Sequence, residues 1–246
     1  MGPIVSVASE IPNSKYPEPG DAVGIVVAAG SGERMGGEPK AFIEVLGRPM
    51  IMYSLEVLNR SPGVGQIVVV VPSDRILEAR KIAESVVTSK LVTVCGGGST
   101  RRASVLAGLE AVEERELWTL VQDAARPCLT AELVARGLEA GRGTGAATAA
   151  IQSRDTIKEV GSGGVVLRTL DRSKLYQSQT PQVFATETLI RAHREAPPDL
   201  LLDDGSLLEA IGFPVHVYEG DPRNLKVTTP ADLELVEAVL RKRVRE

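Results

Sequence analysis

Residues 67–87 read IVVVVPSDRILEARKIAESVV. The five β-branched residues from Ile67 to Val71 leave no polar position for a wet side, so the run predicts a strand buried on both faces. Pro72 and Ser73 break it. From Asp74 to Val87 the apolar residues Ile76, Ala79, Ile82, Ala83 and Val86 recur at helical spacing. A doubly buried strand running directly into an amphipathic helix is the repeating unit of a parallel sheet covered by helices. The same alternation extends outward, with strands predicted from Val23 and over 91–94, 117–122, 146–151 and 214–218. Helices are predicted over 49–59, 100–115, 130–141 and 230–244. The expected fold is α/β, an open, mostly parallel sheet with helices on both faces.

Two segments stand outside this rhythm. Residues 1–20 are rich in Pro, Asn and Glu and read by composition as a poorly ordered extension. Residues 155–160 and 165–170 alternate around Gly161-Ser162-Gly163-Gly164 like a hairpin, which predicts a β-arm over about 152–175 inserted into one domain spanning 21–246. An isolated two-stranded ribbon is marginal in water, so the arm is expected to pack on something, a second copy of the chain being the natural candidate.

Composition removes several classes of function. With 246 residues and 43% hydrophobic content the chain can build one large core. A net charge of −4 and 3% aromatic residues supply neither the basic footprint nor the stacking surface that nucleic acid requires. Cys95 and Cys128 lack metal-ligand spacing and suit a reducing cytoplasm. His193, in a helix-like segment, and His216, in a strand-like one, are read as structural. No apolar run approaches the ~18 residues of a membrane span, and no secretory signal pattern is visible at the N-terminus.

The chemistry concentrates in glycine-rich stretches at predicted strand ends, where open α/β sheets bind ligands. Residues 26–40, VVAAGSGERMGGEPK, begin as a strand and become a loop containing Gly30, Gly32, Gly36 and Gly37. A dinucleotide fingerprint needs glycine where Met35 stands, and a Walker A loop needs Lys-Ser or Lys-Thr where Glu38 and Pro39 stand. What remains is a loop flanked by Arg34 and Lys40. That pair suits a polyphosphate whose charge rises during reaction, or else two solvated charges beside a turn. The second run, residues 96–105, GGGSTRRASV, opens a predicted helix. Gly98, Ser99 and the Ser104 hydroxyl can meet a small polar base edge, or Ser99 or Thr100 can simply cap the helix. Asp123, ending a predicted strand, can touch a ribose or a magnesium ion held mainly by phosphates. Asp221 is either a second contact to that ion's water shell or a turn former.

Taken together, these stretches resemble the sugar-phosphate nucleotidyltransferases. The order of AAGSGERMGGEPK, GGGSTRRASV, Asp123-Ala124-Ala125-Arg126-Pro127, Arg154-Asp155-Thr156-Ile157-Lys158 and Asn224-Leu225-Lys226-Val227-Thr228 with Pro230 and Asp232 is similar to the 2-C-methyl-D-erythritol 4-phosphate cytidylyltransferases. The resemblance runs from about Val23 to the C-terminus. It implies a Rossmann-like sheet and transfer of a cytidylyl group from CTP to methylerythritol phosphate, with Mg²⁺ and loss of pyrophosphate. By the same resemblance, backbone groups at Ala28, Ala29 and Gly30 meet the base and ribose, and Gly98, Ser99 and Ser104 select cytosine. Arg34 and Lys40 hold the triphosphate. Lys226 orients the polyol phosphate, while Thr156 and Arg172 on the arm reach the substrate phosphate of a neighbouring subunit in a homodimer. Three positions depart from the family pattern: Gln122 in place of histidine, Ala41 in place of glutamine and Leu202 in place of threonine. None removes an expected catalytic charge, but Leu202 deletes a hydroxyl near the substrate. A ribitol phosphate cytidylyltransferase shares most of these motifs and is the nearest alternative, with a non-catalytic nucleotide-binding regulator as the alternative of another class.

Overall fold

The computed structural model describes residues 20–30, 37–112, 117–200 and 202–243. The extension before Gly20, and Arg34 in the first glycine loop, lie outside the described residues. In chain order the described segments form β1 (Ala22–Val27), β2 (Glu44–Val45), β3 (Arg48–Pro49), α1 (Ile51–Arg60), β4 (Val64–Val71), α2 (Ile76–Val86), β5 (Leu91–Gly96) and α3 (Arg101–Glu110). There follow β6 (Trp118–Asp123), α4 (Ala131–Thr144), β7 (Ala146–Gln152), β8 (Lys158–Val160), β9 (Val166–Thr169), β10 (Tyr176–Ala185), α5 (Thr186–Glu195), α6 (Asp204–Ala210), β11 (His216–Glu219) and α7 (Pro230–Arg243).

Seven strands make one sheet in the order β11-β7-β10-β6-β1-β4-β5. The β1–β4, β1–β6, β4–β5 and β7–β11 pairs are parallel, and β10 alone runs antiparallel to both its neighbours. The valine run of β4 is explained by burial on two sides. Ile67, Val69 and Val71 pack into one core with Leu55 and Leu58 of α1, Ala83 of α2 and Leu133 of α4. Val68 and Val70 pack into another with Val105 of α3, Leu189 of α5 and Leu207 of α6. Each such side chain stabilises the fold by ~1.5–3 kcal/mol when fully buried, so a polar residue on either face of β4 would cost heavily. Gly108 lets α3 lie close on this second face, since a Cβ there would stand 2.8 Å from Ile25 Cγ2 and 2.9 Å from Val70 Cγ2.

The predicted strands and helices are present, with boundaries shifted by a few residues. The helix expected over 100–115 ends at Glu110. Sequence reading did not find β10, although it sits in the middle of the sheet. Val183 and Phe184 of its segment, YQSQTPQVFA, join the cores, but the residues before them are polar because their side chains are tied to neighbouring strands and loops. Gln182 Nε2 donates to Thr148 Oγ1 at 2.8 Å and Asp203 Oδ2 at 2.9 Å, and Gln179 Nε2 donates to the Asp221 carbonyl at 3.0 Å. The arm is present as β8 and β9, paired antiparallel around a turn in which Gly163 and Gly164 take positive φ. All its strand residues are exposed, including Val160, Val166 and Leu167.

The C-terminal helix is fastened at its start. Pro230 opens α7, and the Asp232 carboxylate accepts from Thr228 N at 2.8 Å, Thr229 N at 2.7 Å and both threonine hydroxyls. These hydrogen bonds, led by those from Thr228, hold the carboxyl down at about 2. Because the folded value lies below the unfolded one, Asp232 stabilises the protein above pH ~4, and that share is lost as the pH falls from about 4 to about 2. Asp232→Ala is expected to cost ~0.5–1 kcal/mol at neutral pH, a solvent-exposed cap contact, and to flatten the acid limb of a stability–pH curve measured by urea unfolding. An unchanged acid limb would contradict this.

Candidate active site

The carboxyl ends of β1 and β6 lie side by side, with Val27 opposite Asp123. The loops leaving these strands line a cavity of about 640 Å³. The sheet itself fixes those loops. Ala28 N donates to the Val70 carbonyl at 2.7 Å, Ala124 N to that of Val27 at 3.0 Å, and Gly97 N to that of Val71 at 2.8 Å, so pairing continues past the strand ends. Ala28, Ala29 and Gly30 line one wall and Gly98, Ser99 and Ser104 another, while Lys40, Arg101, Asp123 and Lys226 supply the charges.

The two glycine-bearing walls touch at Gly97. A Cβ there would stand 2.4 Å from Ala29 Cβ and 2.8 Å from Ser104 Oγ. Gly97→Ala is therefore expected to force the walls apart and weaken nucleotide binding by ~10-fold or more while leaving the protein folded. A CTP titration with the variant's circular dichroism as control checks this, and unchanged affinity would refute it. The cap of α3 falls to Thr100, whose hydroxyl accepts from Ala103 N at 3.0 Å. Ser104 Oγ donates to the Thr100 carbonyl at 2.9 Å. Ser99 is left out of the capping.

Asp123 is the centre of the charge arrangement. Its carboxylate is almost wholly buried, with Lys226 Nζ 2.6 Å from Oδ2 and Arg101 Nε 3.1 Å from Oδ1. Burial opposes its charge, but Arg101 and Lys226 outweigh burial and hold its pKa well below the usual carboxylate range. Arg101 shows the mirror effect: burial disfavours its charge, and Asp204 and Asp123 together raise its pKa above the ordinary value. Its Nη1 donates to Asp204 Oδ2 at 2.6 Å. Arg126 has its pKa lowered by burial, partly offset by Asp123.

The strap carrying Lys226 is set by neutral and charged hydrogen bonds. Arg126 Nη1 donates to the Asn224 carbonyl at 2.7 Å, Asn224 Nδ2 to that of Thr180 at 2.7 Å, and Val227 N to that of Ala125 at 2.8 Å. Lys40 enters from the 3₁₀ turn Lys40–Phe42 and its Nζ donates to the Val227 carbonyl at 3.3 Å. Both lysines thus approach the cavity against the same strap.

Nine of the expected residues share this cavity: Ala28, Ala29, Gly30, Lys40, Gly98, Ser99, Ser104, Asp123 and Lys226. Thr156 and Arg172 do not reach it from their own chain. Arg172 lines a second, shallower cavity of about 1030 Å³ beside Arg154, Tyr176 and Glu219. Asp221 is also away from the first cavity, and its carboxylate accepts from Arg223 N at 2.7 Å and from the Arg223 guanidinium. That is the turn-forming role; of the two expected metal contacts, only Asp123 lines the cavity. Among the described residues no group of three or more His, Cys, Asp or Glu side chains is arranged to hold a metal ion. A single ionised carboxylate fits a magnesium ion carried mostly by phosphate oxygens and water.

Arg101, Asp204 and Arg126 were not picked out as site residues by sequence reading, and His193 was read as structural. Arg101 and Arg102 are adjacent in the quoted motif, and nothing in the spacing tells them apart. Only the fold turns Arg101 to the cavity, while Arg102 Nη2 donates to the His193 and Ala196 carbonyls at 2.8 and 2.9 Å, capping the C-terminal end of α5.

The model of the 2-C-methyl-D-erythritol 4-phosphate cytidylyltransferase family matches residues 22–242. The chain belongs to this family. It is similar to the 2-C-methyl-D-erythritol 4-phosphate cytidylyltransferase of Dehalococcoides mccartyi, 38% identical over 89% of this chain and 95% of that one. The enzyme of the same name from Symbiobacterium thermophilum is 42% identical over 90% and 94%. Among solved structures, 4-diphosphocytidyl-2C-methyl-D-erythritol synthase from Anaerococcus prevotii superimposes with a TM-score of 0.80 at 28% identity, covering 89% of this chain and 98% of that one. This member of the family is therefore a nucleotidyltransferase with a Rossmann-like sheet, and the reading as a non-catalytic regulator is set aside. Among the described residues of this cytidylyltransferase family member, no helix is long and apolar enough to cross a membrane.

Proposed function

We propose that the cavity joins CTP to 2-C-methyl-D-erythritol 4-phosphate, giving 4-diphosphocytidyl-2-C-methyl-D-erythritol and pyrophosphate, in the non-mevalonate route to isoprenoid precursors in the cytoplasm. The observation that carries the reading is the meeting of Lys40 and Lys226 in one cavity at the ends of β1 and β6, one cation for each reacting phosphate. A phosphate oxygen of the polyol substrate attacks the α-phosphorus of CTP. As that bond forms, the bond from the α-phosphorus to the bridging oxygen breaks, and pyrophosphate leaves with the electron pair. The attacking monoester is already anionic near neutral pH, so no strong base is needed.

The barrier is the approach of two anions, and the residues act mainly by positioning and neutralising charge. Ala28, Ala29 and Gly30 present backbone groups to the nucleotide, and Gly98, Ser99 and Ser104 face the cytosine edge. Lys40, with Arg34 from the same loop, holds the triphosphate, and Lys226 holds the attacking phosphate. Asp123 would hold a magnesium ion, which when bound adds positive charge at the phosphates. The Asp221 carboxylate plays no part in this scheme. Pyrophosphate release with CTP, UTP, GTP or ATP, each paired with methylerythritol phosphate or ribitol phosphate, tests the reading. Release confined to CTP with methylerythritol phosphate is expected, and release only with ribitol phosphate would overturn the polyol assignment.

The arm completes the site in a homodimer, in which Thr156 and Arg172 of a second copy contact the polyol phosphate. The exposed apolar residues Val160, Val165, Val166 and Leu167 on the arm support this reading. Two inactive variants, Arg172→Ala and Lys226→Ala, are then expected to complement when unfolded together and refolded. Statistical pairing places one intact site in each mixed dimer, restoring about a quarter of wild-type activity. No recovery in refolded mixed dimers would refute the cross-subunit roles.

A further inference from the structure

A line of charged side chains runs from the cavity into the helix layer, and the proposed chemistry leaves its inner half without a task. Arg101 divides its guanidinium between two carboxylates, Nε to Asp123 Oδ1 at 3.1 Å and Nη1 to Asp204 Oδ2 at 2.6 Å. Asp204 is fully buried at the start of α6, and its other oxygen lies 3.3 Å from Nε2 of His193, buried in α5. Its backbone is held as well. Asp204 N donates to Gln182 Oε1 at 3.2 Å, and Asp203 caps α6 in a reciprocal pair with Ser206.

A guanidinium beside a single carboxylate prefers to take both of its oxygens in a fork. If Arg101 did so with Asp123, Oδ2 would turn from Lys226 and from the cavity. Asp204 competes for the same guanidinium and prevents that closure. A buried ion pair is weak grounds for stability, since apolar residues of the same volume pack as well, so a task in positioning accounts better for this one.

We propose that Asp204, backed by His193, is a positioning residue for the transfer, holding Arg101 so that Asp123 Oδ2 stays with Lys226 at the cavity. The catalytic consequence rests on the reaction proposed above, whereas the geometric one does not. Asp204→Asn removes the competing charge at constant shape. Arg101 is then expected to close on Asp123 and release Lys226, whose side-chain amine reacts several-fold faster with an acylating reagent, read lysine by lysine by mass spectrometry, with Lys158 as the arm-borne control. The turnover number should fall by ~10-fold or more. Asp204→Glu keeps the charge and shifts it by one methylene, so it carries the same prediction at smaller size should Asp204→Asn fail to fold. A folded variant in which Lys226 reacts at the wild-type rate would overturn the proposal whatever its thermal midpoint, because a merely structural pair leaves that rate unchanged. Wild-type protein that releases no pyrophosphate would instead refute the reaction, with lysine reactivity still deciding the brace.

Discussion

Lys40→Ala is expected to lower kcat by roughly 10²- to 10³-fold, the size of effect seen when one preorganised donor is removed from a developing charge. Lys40 belongs to a short rigid turn whose Ala41 and Phe42 are buried, and Arg75 stacks on Phe42 with its guanidinium carbon 4.2 Å from the ring centre. The ammonium is thus delivered to the cavity from a turn backed by two buried residues. Charge on the leaving pyrophosphate rises as the α-phosphorus bond breaks, so a lysine placed for it contributes more in the transition state than in the ground state. The KM for CTP should therefore change much less than kcat. Steady-state kinetics with the thermal midpoint as control checks this. A loss confined to KM would assign Lys40 to binding alone.

The second large effect is expected at Lys226, where alanine substitution should lower kcat/KM for the polyol phosphate by roughly 10²-fold or more. The Lys226 side chain is two-fifths exposed, while its partner Asp123 is nearly buried, so the lysine can turn toward an incoming phosphate without leaving an unpaired charge in the core. Arg101 still holds the carboxylate in the variant, and the fold should survive with little loss of stability. The KM for CTP should be nearly unchanged if Lys226 serves only the attacking phosphate. Equal losses for both substrates would show that it serves the nucleotide as well.

Most of the scaffold could be read from pattern alone because burial is symmetrical. Val68 and Val70 face one core and Val69 and Val71 the other, so β4 has no polar face and its helix follows at once. The arm was legible for a different reason, the Gly-Ser-Gly-Gly turn between alternating strands. β10 was not, because Gln179 and Gln182 hydrogen-bond to loops, Thr180 accepts from the backbone of β6, and no apolar period survives. Within the site, Lys40 followed from a glycine-rich loop after a strand and Asp123 from its place at the end of one, while the roles of Ala28 to Gly30 followed from the family resemblance. The ion pair of Asp123 with Lys226 spans 103 residues and that of Arg101 with Asp204 another 103, so neither pairing had a local signature. Asp221 stayed open between a metal contact and a turn former, because a carboxylate in a turn looks the same in sequence whether it serves a metal or its own loop.

The central claim is that a nucleotidyl group passes directly to a substrate phosphate. Phosphorus NMR of one reaction mixture of CTP, methylerythritol phosphate, magnesium and the protein tests it most directly. A diphosphate diester and free pyrophosphate, formed in equal amounts with no CMP, is the predicted result. CMP with pyrophosphate would mean hydrolysis, and CDP with a polyol diphosphate would mean phosphoryl transfer; either would contradict the assignment of this cavity.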